Sequence, residues 1–146
     1  MTRFFVILAT LVVFMTAPAS AGGRFGNSGV LAKIDLSAQR MSVYQNGRLK
    51  YTWKVSTARR GYHTPLGNYR PTRMHKRYFS KKYYNSPMPY SIFFRGGYAI
   101  HGTNAVKRLG RRASHGCVRL HPKNAAKLFS MIQRSGRGRA RIRIVR

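Results

Sequence analysis

Residues Met41 to Val55 read MSVYQNGRLKYTWKV, and this stretch decides the kind of fold. Asn46 and Gly47 tolerate the positive φ angles of a two-residue hairpin turn, and β-formers flank them on both sides. After the turn Leu49, Tyr51, Trp53 and Val55 alternate with Lys50, Thr52 and Lys54, giving one apolar and one polar face. Upstream, Val30, Ala32, Ile34 and Leu36 keep the same period against Leu31, Lys33 and Asp35, which predicts an opening strand. Downstream, Ile92 to Phe94 and Tyr98 to His101 flank Gly96-Gly97 as a further strand pair, with His101 at a strand end. Ala140, Ile142 and Ile144 alternate with Arg139, Arg141 and Arg143 in a terminal strand. One helix stands out. Pro122 suits its first turn, Ala125, Leu128, Phe129 and Ile132 recur at helical spacing, and Gly136 marks its end. From Ala58 to Pro89 no period persists, apart from a short strand around Asn68 to Arg73, and the Gly, Pro, Tyr and basic residues predict loops over a cleft. The pattern is mostly β with one helix, without repeats.

The length of 146 residues supports one domain. Lys and Arg number 29 against one acidic residue, Asp35, for a net charge of +28. A lone carboxylate excludes paired-carboxylate chemistry and carboxylate-rich calcium or magnesium cages. A hydrophobic share of 43%, with nine Tyr and eight Phe, excludes a disordered basic tail. At the start, Met1-Thr2-Arg3, the apolar run Phe4 to Met15 and Ala19-Ser20-Ala21 read as a cleaved signal peptide over 1–21. The run is too short to span a bilayer comfortably, so no stable membrane insertion is expected after cleavage. No Cys follows it to carry a lipid. The Gly-rich stretch 22–29 reads as a flexible lead-in, and 30–146 as the folded domain.

Export gives the single cysteine, Cys117, its meaning. Without a partner for a disulfide it is either a buried small hydrophobe or a thiol kept for chemistry. Its neighbours favour chemistry: His101-Gly102-Thr103-Asn104 lies upstream, and Cys117 sits within Ser114-His115-Gly116-Cys117-Val118-Arg119-Leu120. A thiol attacks a carbonyl as thiolate, and imidazole or clustered Arg charge lowers its pKa. His115, two residues away, shares a side with Cys117 in an extended segment, whereas His101 meets it only through folding. Gly116 lets a carbonyl approach the N–H groups of Gly116 and Cys117 as an oxyanion hole. Unless Asp35 lies close, a backbone carbonyl must fix the tautomer of His101.

These two segments resemble the signature of the L,D-transpeptidase catalytic domain, the YkuD-like family of peptidoglycan enzymes. The likeness extends to Asp35-Leu36-Ser37, the Asn46-Gly47 hairpin, Val55-Ser56-Thr57, Thr64-Pro65-Leu66-Gly67 and the helix after Leu120. It implies a twisted β-sandwich-like domain with one main packed α-helix. It also implies that Cys117 attacks the carbonyl of the third stem-peptide residue, usually meso-diaminopimelate, and expels the terminal D-Ala. The acyl group then passes to a second stem, an envelope protein or water. Carried onto this chain, Cys117 is the nucleophile and His101 its base, with the Gly102 carbonyl orienting the ring. His115, Gly116 and Cys117 wall the oxyanion, Ser114 supports the loop, and Arg119 either fixes the loop or holds a substrate carboxylate. The Thr64 to Gly67 turn holds the cleft together. No cofactor or metal is implied, and such a monomeric enzyme points to a Gram-negative periplasm. Ala58, where the family often has Gly, and Arg111-Arg112 depart from the pattern and bear on acceptor preference.

Other readings attach to the same residues. His101, His115, His121 and Cys117 are nitrogen and sulfur donors of the kind zinc takes, although a hydrolytic zinc site also wants a carboxylate that only Asp35 could supply. His63, His75 and His121 read as solvated or structural, and the Tyr and Phe of 78–98 as core and cleft wall. Loss of Arg3 with the signal leaves a charge of +27, which attracts polyanions, nucleic acid included, nonspecifically. An exported, inactive polyanion-binding protein is therefore the alternative from another class.

Overall fold

A computed structural model describes residues Gly29–Arg146. The signal-peptide reading of 1–21 and nearly all of the lead-in lie outside the described residues. The strands are β1 (Val30–Asp35), β2 (Arg40–Gln45), β3 (Arg48–Lys54), β4 (Gly67–Tyr69), β5 (Arg73–His75), β6 (Phe79–Ser80), β7 (Ser86–Pro87), β8 (Ser91–Arg95), β9 (Tyr98–Gly102), β10 (Val118–Leu120) and β11 (Ala140–Val145). The helix α1 spans Pro122–Ser135. A five-stranded sheet runs β3-β2-β1-β11-β4, a four-stranded sheet runs β10-β9-β8-β5, and β6 and β7 form a small hairpin. The mostly β fold with one packed helix is as expected.

The hairpin forms where Asn46 (φ 50°) and Gly47 (φ 77°) take the left-handed region. A bulge at Val43/Tyr44 brings Leu49 opposite Tyr44, so the alternation stops short of the strand's start. Leu49 is consequently 56% exposed, against the expectation that it shares the buried face. The strand expected over Asn68 to Arg73 is in fact two. Gly67–Tyr69 pairs with β11 and Arg73–His75 with β8, so the chain changes sheets across Arg70-Pro71-Thr72. Pro71 lacks the N–H that a continuous ladder needs.

The core is sealed between the sheets and α1. Val30, Ala32 and Ile34 of β1 meet Ile142 and Ile144 of β11 in a parallel ladder, and all five are at most 2% exposed. Ala125, Leu128, Phe129, Met131 and Ile132 of α1 cover this core from one side. Each large aliphatic chain so buried contributes about 1.5–3 kcal/mol. The helix starts on Pro122, with the His121 ring accepting from the Lys123 N–H, and stops at Gly136 (φ 85°).

The four-stranded sheet has two used faces. Ile92, Phe94 and Ile100 point into the main core, whereas Phe93 and Ala99 point the other way and pack with Met88, Tyr78 and Cys117. Period two then puts His101 on the Ala99 side, toward Cys117. No helix among the described residues is long and apolar enough to cross a membrane.

Candidate active site

β9 and β10 run parallel, with Arg119 opposite His101 and Val118 opposite Ile100. Cys117, one residue before β10, therefore comes up beside β9 on the face that carries His101. Both line a cavity of about 920 Å³, together with Tyr62, His63, Tyr83, Tyr98, His115 and Arg119. Folding thus brings His101, distant in sequence, to the cavity that Cys117 lines.

His101 is buried, and its Nδ1 lies 2.7 Å from the Gly102 carbonyl oxygen. A carbonyl only accepts, so Nδ1 carries the proton and Nε2 is left as a base. Gly102 is itself pinned, its N–H donating to Pro89 at 2.8 Å. Asp35 takes no part: its Oδ1 accepts from the Ser37 N–H, the Ser37 hydroxyl and the Ala38 N–H. Burial pulls the His101 pKa down to about 4, against the raising effect of the Gly102 bond, with Arg119 lowering it further.

Burial also pushes the Cys117 thiol up, opposed by a bond from the Ala99 backbone and by Arg119. The sequence reading anticipated a pKa lowered by imidazole and Arg. Burial instead shifts the thiol upward, because desolvation outweighs the guanidinium of Arg119. The thiol lies 3.8 Å from the Gly97 carbonyl oxygen.

The loop before Cys117 is built from inside. The buried Ser114 hydroxyl donates to the Cys117 carbonyl at 2.6 Å and accepts from the Gly116 N–H at 3.0 Å. Gly116 N–H, expected as an oxyanion donor, is thus engaged by Ser114, whereas the Cys117 N–H has no protein acceptor among the described residues. Thr64 clamps the same loop, donating to the Gly116 carbonyl at 2.8 Å and accepting from the Ala58 N–H at 3.1 Å. Gly116 sits at φ +133°, and a Cβ there would lie 2.6 Å from Tyr98 and 2.9 Å from the His63 carbonyl oxygen.

His115 stacks on Tyr83 at 4.6 Å and meets the edge of Tyr62 at 4.7 Å between centroids. Arg59 Nη2 donates to its Nε2 at 2.9 Å. With Nε2 so engaged, His115 is a wall of the cavity, and this packing, followed by the positive field of Arg59, Arg119 and Lys82, lowers its pKa. Nothing in the periodicity of the chain marks Arg59, Tyr62 and Tyr83 as its partners. Arg119, half-buried, donates weakly to the Ala113 carbonyl at 3.4 Å, leaving most of its fork free. His63 is no bystander: its Nε2 lies 3.2 Å from the Tyr98 hydroxyl in the cavity wall. His121 caps α1 and His75 packs on Tyr78 and Phe93. Among the described residues no three His, Cys, Asp or Glu side chains gather, so the four donors of the zinc reading are not brought together.

The sequence matches the family model of the L,D-transpeptidase catalytic domain, YkuD, over residues 29–144, and the chain belongs to that family. Among curated proteins it is 24% identical over 103 residues to the Bacillus subtilis protein named "Putative L,D-transpeptidase YkuD", covering 68% of this chain and 58% of that one. A shorter match, 46% identical over 43 residues, covers 30% of this chain and 14% of the Escherichia coli protein named "Probable L,D-transpeptidase YbiS". The fold is shared with an L,D-transpeptidase from Mycobacterium smegmatis (TM-score 0.73, 21% identity, 82% of this chain and 59% of that one). It is shared likewise with one from Stackebrandtia nassauensis (0.70, 26%, 82% and 56%). A third neighbour is L,D-transpeptidase 3 from Mycobacterium tuberculosis in complex with a faropenem-derived adduct (0.70, 17%, 81% and 60%). The chain thus spans less than two thirds of the length of these relatives.

Proposed function

We propose that this domain is a peptidoglycan L,D-transpeptidase with Cys117 as its nucleophile. The observation that carries the reading is that Cys117 lines one cavity with a His101 whose Nδ1–H is spent on the Gly102 carbonyl. As sulfur attacks the carbonyl of the third stem residue, His101 Nε2 takes the thiol proton. The tetrahedral oxyanion is met by the Cys117 N–H. Its collapse breaks the amide bond, the proton passes from His101 to the leaving D-Ala amine, and a thioester remains. An acceptor amine then attacks the thioester, gives its proton to His101 and frees the sulfur. Burial raises the thiol and lowers the imidazole, which favours proton transfer in step with attack over a stored thiolate.

Arg119, which lines the cavity with Lys82 and whose guanidinium makes only one weak bond among the described residues, to the Ala113 carbonyl, is the cation assigned to a stem carboxylate. Stem peptides are the partners, and an envelope protein amine, a second stem or water is the acceptor. Action in the periplasm is the reading supported by the apolar run Phe4 to Met15 before Ala19-Ser20-Ala21 and by the proposed substrate. The adduct described for the Mycobacterium tuberculosis neighbour supports an acylatable centre in this fold.

The test is release of D-Ala from a tetrapeptide stem, followed with an amine acceptor and with water alone. Cys117→Ala should abolish release while moving the thermal transition by only a few degrees. A Cys117→Ala protein that still turned over would sink the assignment, and so would a folded wild type that released no D-Ala.

A further inference from the structure

The five-stranded sheet covers the core with one face and presents the other outward, away from the cavity. The register lays out that outer face row by row. Arg143 lies opposite both Lys33 and Asn68, Lys33 lies opposite Ser42, and Ser42 opposite Thr52. The neighbouring row runs Arg141, Leu31, Tyr44 and Leu49. Lys33, Arg141 and Arg143 are exposed, Leu31 and Tyr44 half-buried, and Leu49 56% exposed. None of them lines the cavity.

Three features of this face call for an anionic partner. Adjacent strands lie about 4.8 Å apart, so Lys33 and Arg143 are like charges side by side, an arrangement that costs stability in an isolated sheet. The one acidic side chain on this face, Asp35, lies two residues along β1 from Lys33, accepts three bonds from Ser37 and Ala38, and offsets a single charge at most. The cationic row also runs beside a row of Leu and Tyr side chains on a surface roughly 20 Å across. Alternating cations and apolar groups on a flat face suit a layer of phosphate headgroups over acyl chains. A soluble polyanion has no use for the apolar row.

We propose that the outer face of the β3-β2-β1-β11-β4 sheet docks the protein on an anionic lipid surface, through Lys33, Arg141 and Arg143 with Leu31, Tyr44 and Leu49 beside them. This orientation keeps the docking face apart from the cavity residues and needs no spanning segment. It does not depend on the chemistry of Cys117.

The experiment is sedimentation of the chain without its apolar leader (residues 22–146) with vesicles of phosphatidylglycerol and phosphatidylcholine, against vesicles of phosphatidylcholine alone, at physiological salt. Wild type should partition onto the anionic vesicles at least tenfold more strongly. Combined Lys33→Gln, Arg141→Gln and Arg143→Gln should weaken that partition roughly a hundredfold, near the value of three interfacial cations. A control with the same loss of charge, Lys76→Gln, Arg77→Gln and Arg95→Gln, should stay within about threefold, since charges a Debye length away are screened. Leu49→Ser should weaken partition without altering net charge. Equal loss in both triple variants would reduce the effect to net charge and overturn the proposal. So would equal binding to both kinds of vesicle, or a face that binds a short DNA duplex tightly while leaving anionic vesicles unbound. Acylation of Cys117 by faropenem, measured on each variant, should be unchanged, so failure of this proposal is told apart from failure of the catalytic one.

Discussion

At the scale of single residues, His101 and Gly116 answer to different physics. His101 titrates near pH 4 in the folded chain against about 6.5 when unfolded. Between those values the unfolded state holds a proton that the folded state lacks, so acid favours unfolding. The contribution is fully present above the unfolded value and is lost as pH falls from about 6.5 to about 4, on the order of 3 kcal/mol in all. His101→Gln should flatten urea-melt stability across that window, and an equally steep loss in the variant would remove His101 as the cause. The same shift extends activity downward: kcat/KM should hold from pH 7 to pH 5, where an ordinary imidazole would have lost most of its base form. Gly116 is a matter of space. A Cβ there meets Tyr98 at 2.6 Å in a backbone region that favours glycine. Gly116→Ala should cost about 2–4 kcal/mol and lower the melting temperature by roughly 10 °C; a neutral substitution in calorimetry would mean the loop is less constrained than its contacts require.

At the scale of elements, the loop before Cys117 is held by Thr64, in a turn far from it along the chain. Thr64→Val strands the Gly116 carbonyl and the Ala58 N–H together, which should cost about 1–3 kcal/mol in urea melts and slow acylation of Cys117, whereas Thr64→Ser should restore both. Equal behaviour of the Val and Ser variants would mean the hydroxyl is not what holds the loop. Elements with many in-phase residues were legible in the sequence: β1, the β2–β3 turn, β8 with β9, α1 and β11 each carry enough alternation to declare themselves. The three residues of β10 do not, since Val118 and Leu120 supply one repeat inside a segment that reads as chemistry. The sheet change at Pro71 and the exposure of Leu49 depend on which strands pair, and that is decided by partners distant in the chain. The Cys117 and His101 pairing was likewise legible as a motif. The direction of the thiol's pKa was not, because desolvation depends on Phe93, Ala99 and the cavity wall assembled around it.

At the scale of the whole molecule, a net charge of +28 with a single acidic side chain sets the background for everything else. Like charges spread over so small a surface repel one another and oppose compaction. Raising NaCl from about 10 mM to about 1 M shortens the screening length from about 30 to about 3 Å, so the melting temperature should rise. A fall or no change would show that local pairings outweigh the overall field. Within that field the buried His101, the Cys117 thiol and Arg119 line a common cavity, and most of the Arg119 guanidinium is unspent. The most direct measurement is the intact mass of the folded protein after incubation with faropenem. One adduct per wild-type chain, absent from folded Cys117→Ala, is the expected result; an adduct that survives Cys117→Ala, or none on the folded wild type, would contradict Cys117 as the nucleophile.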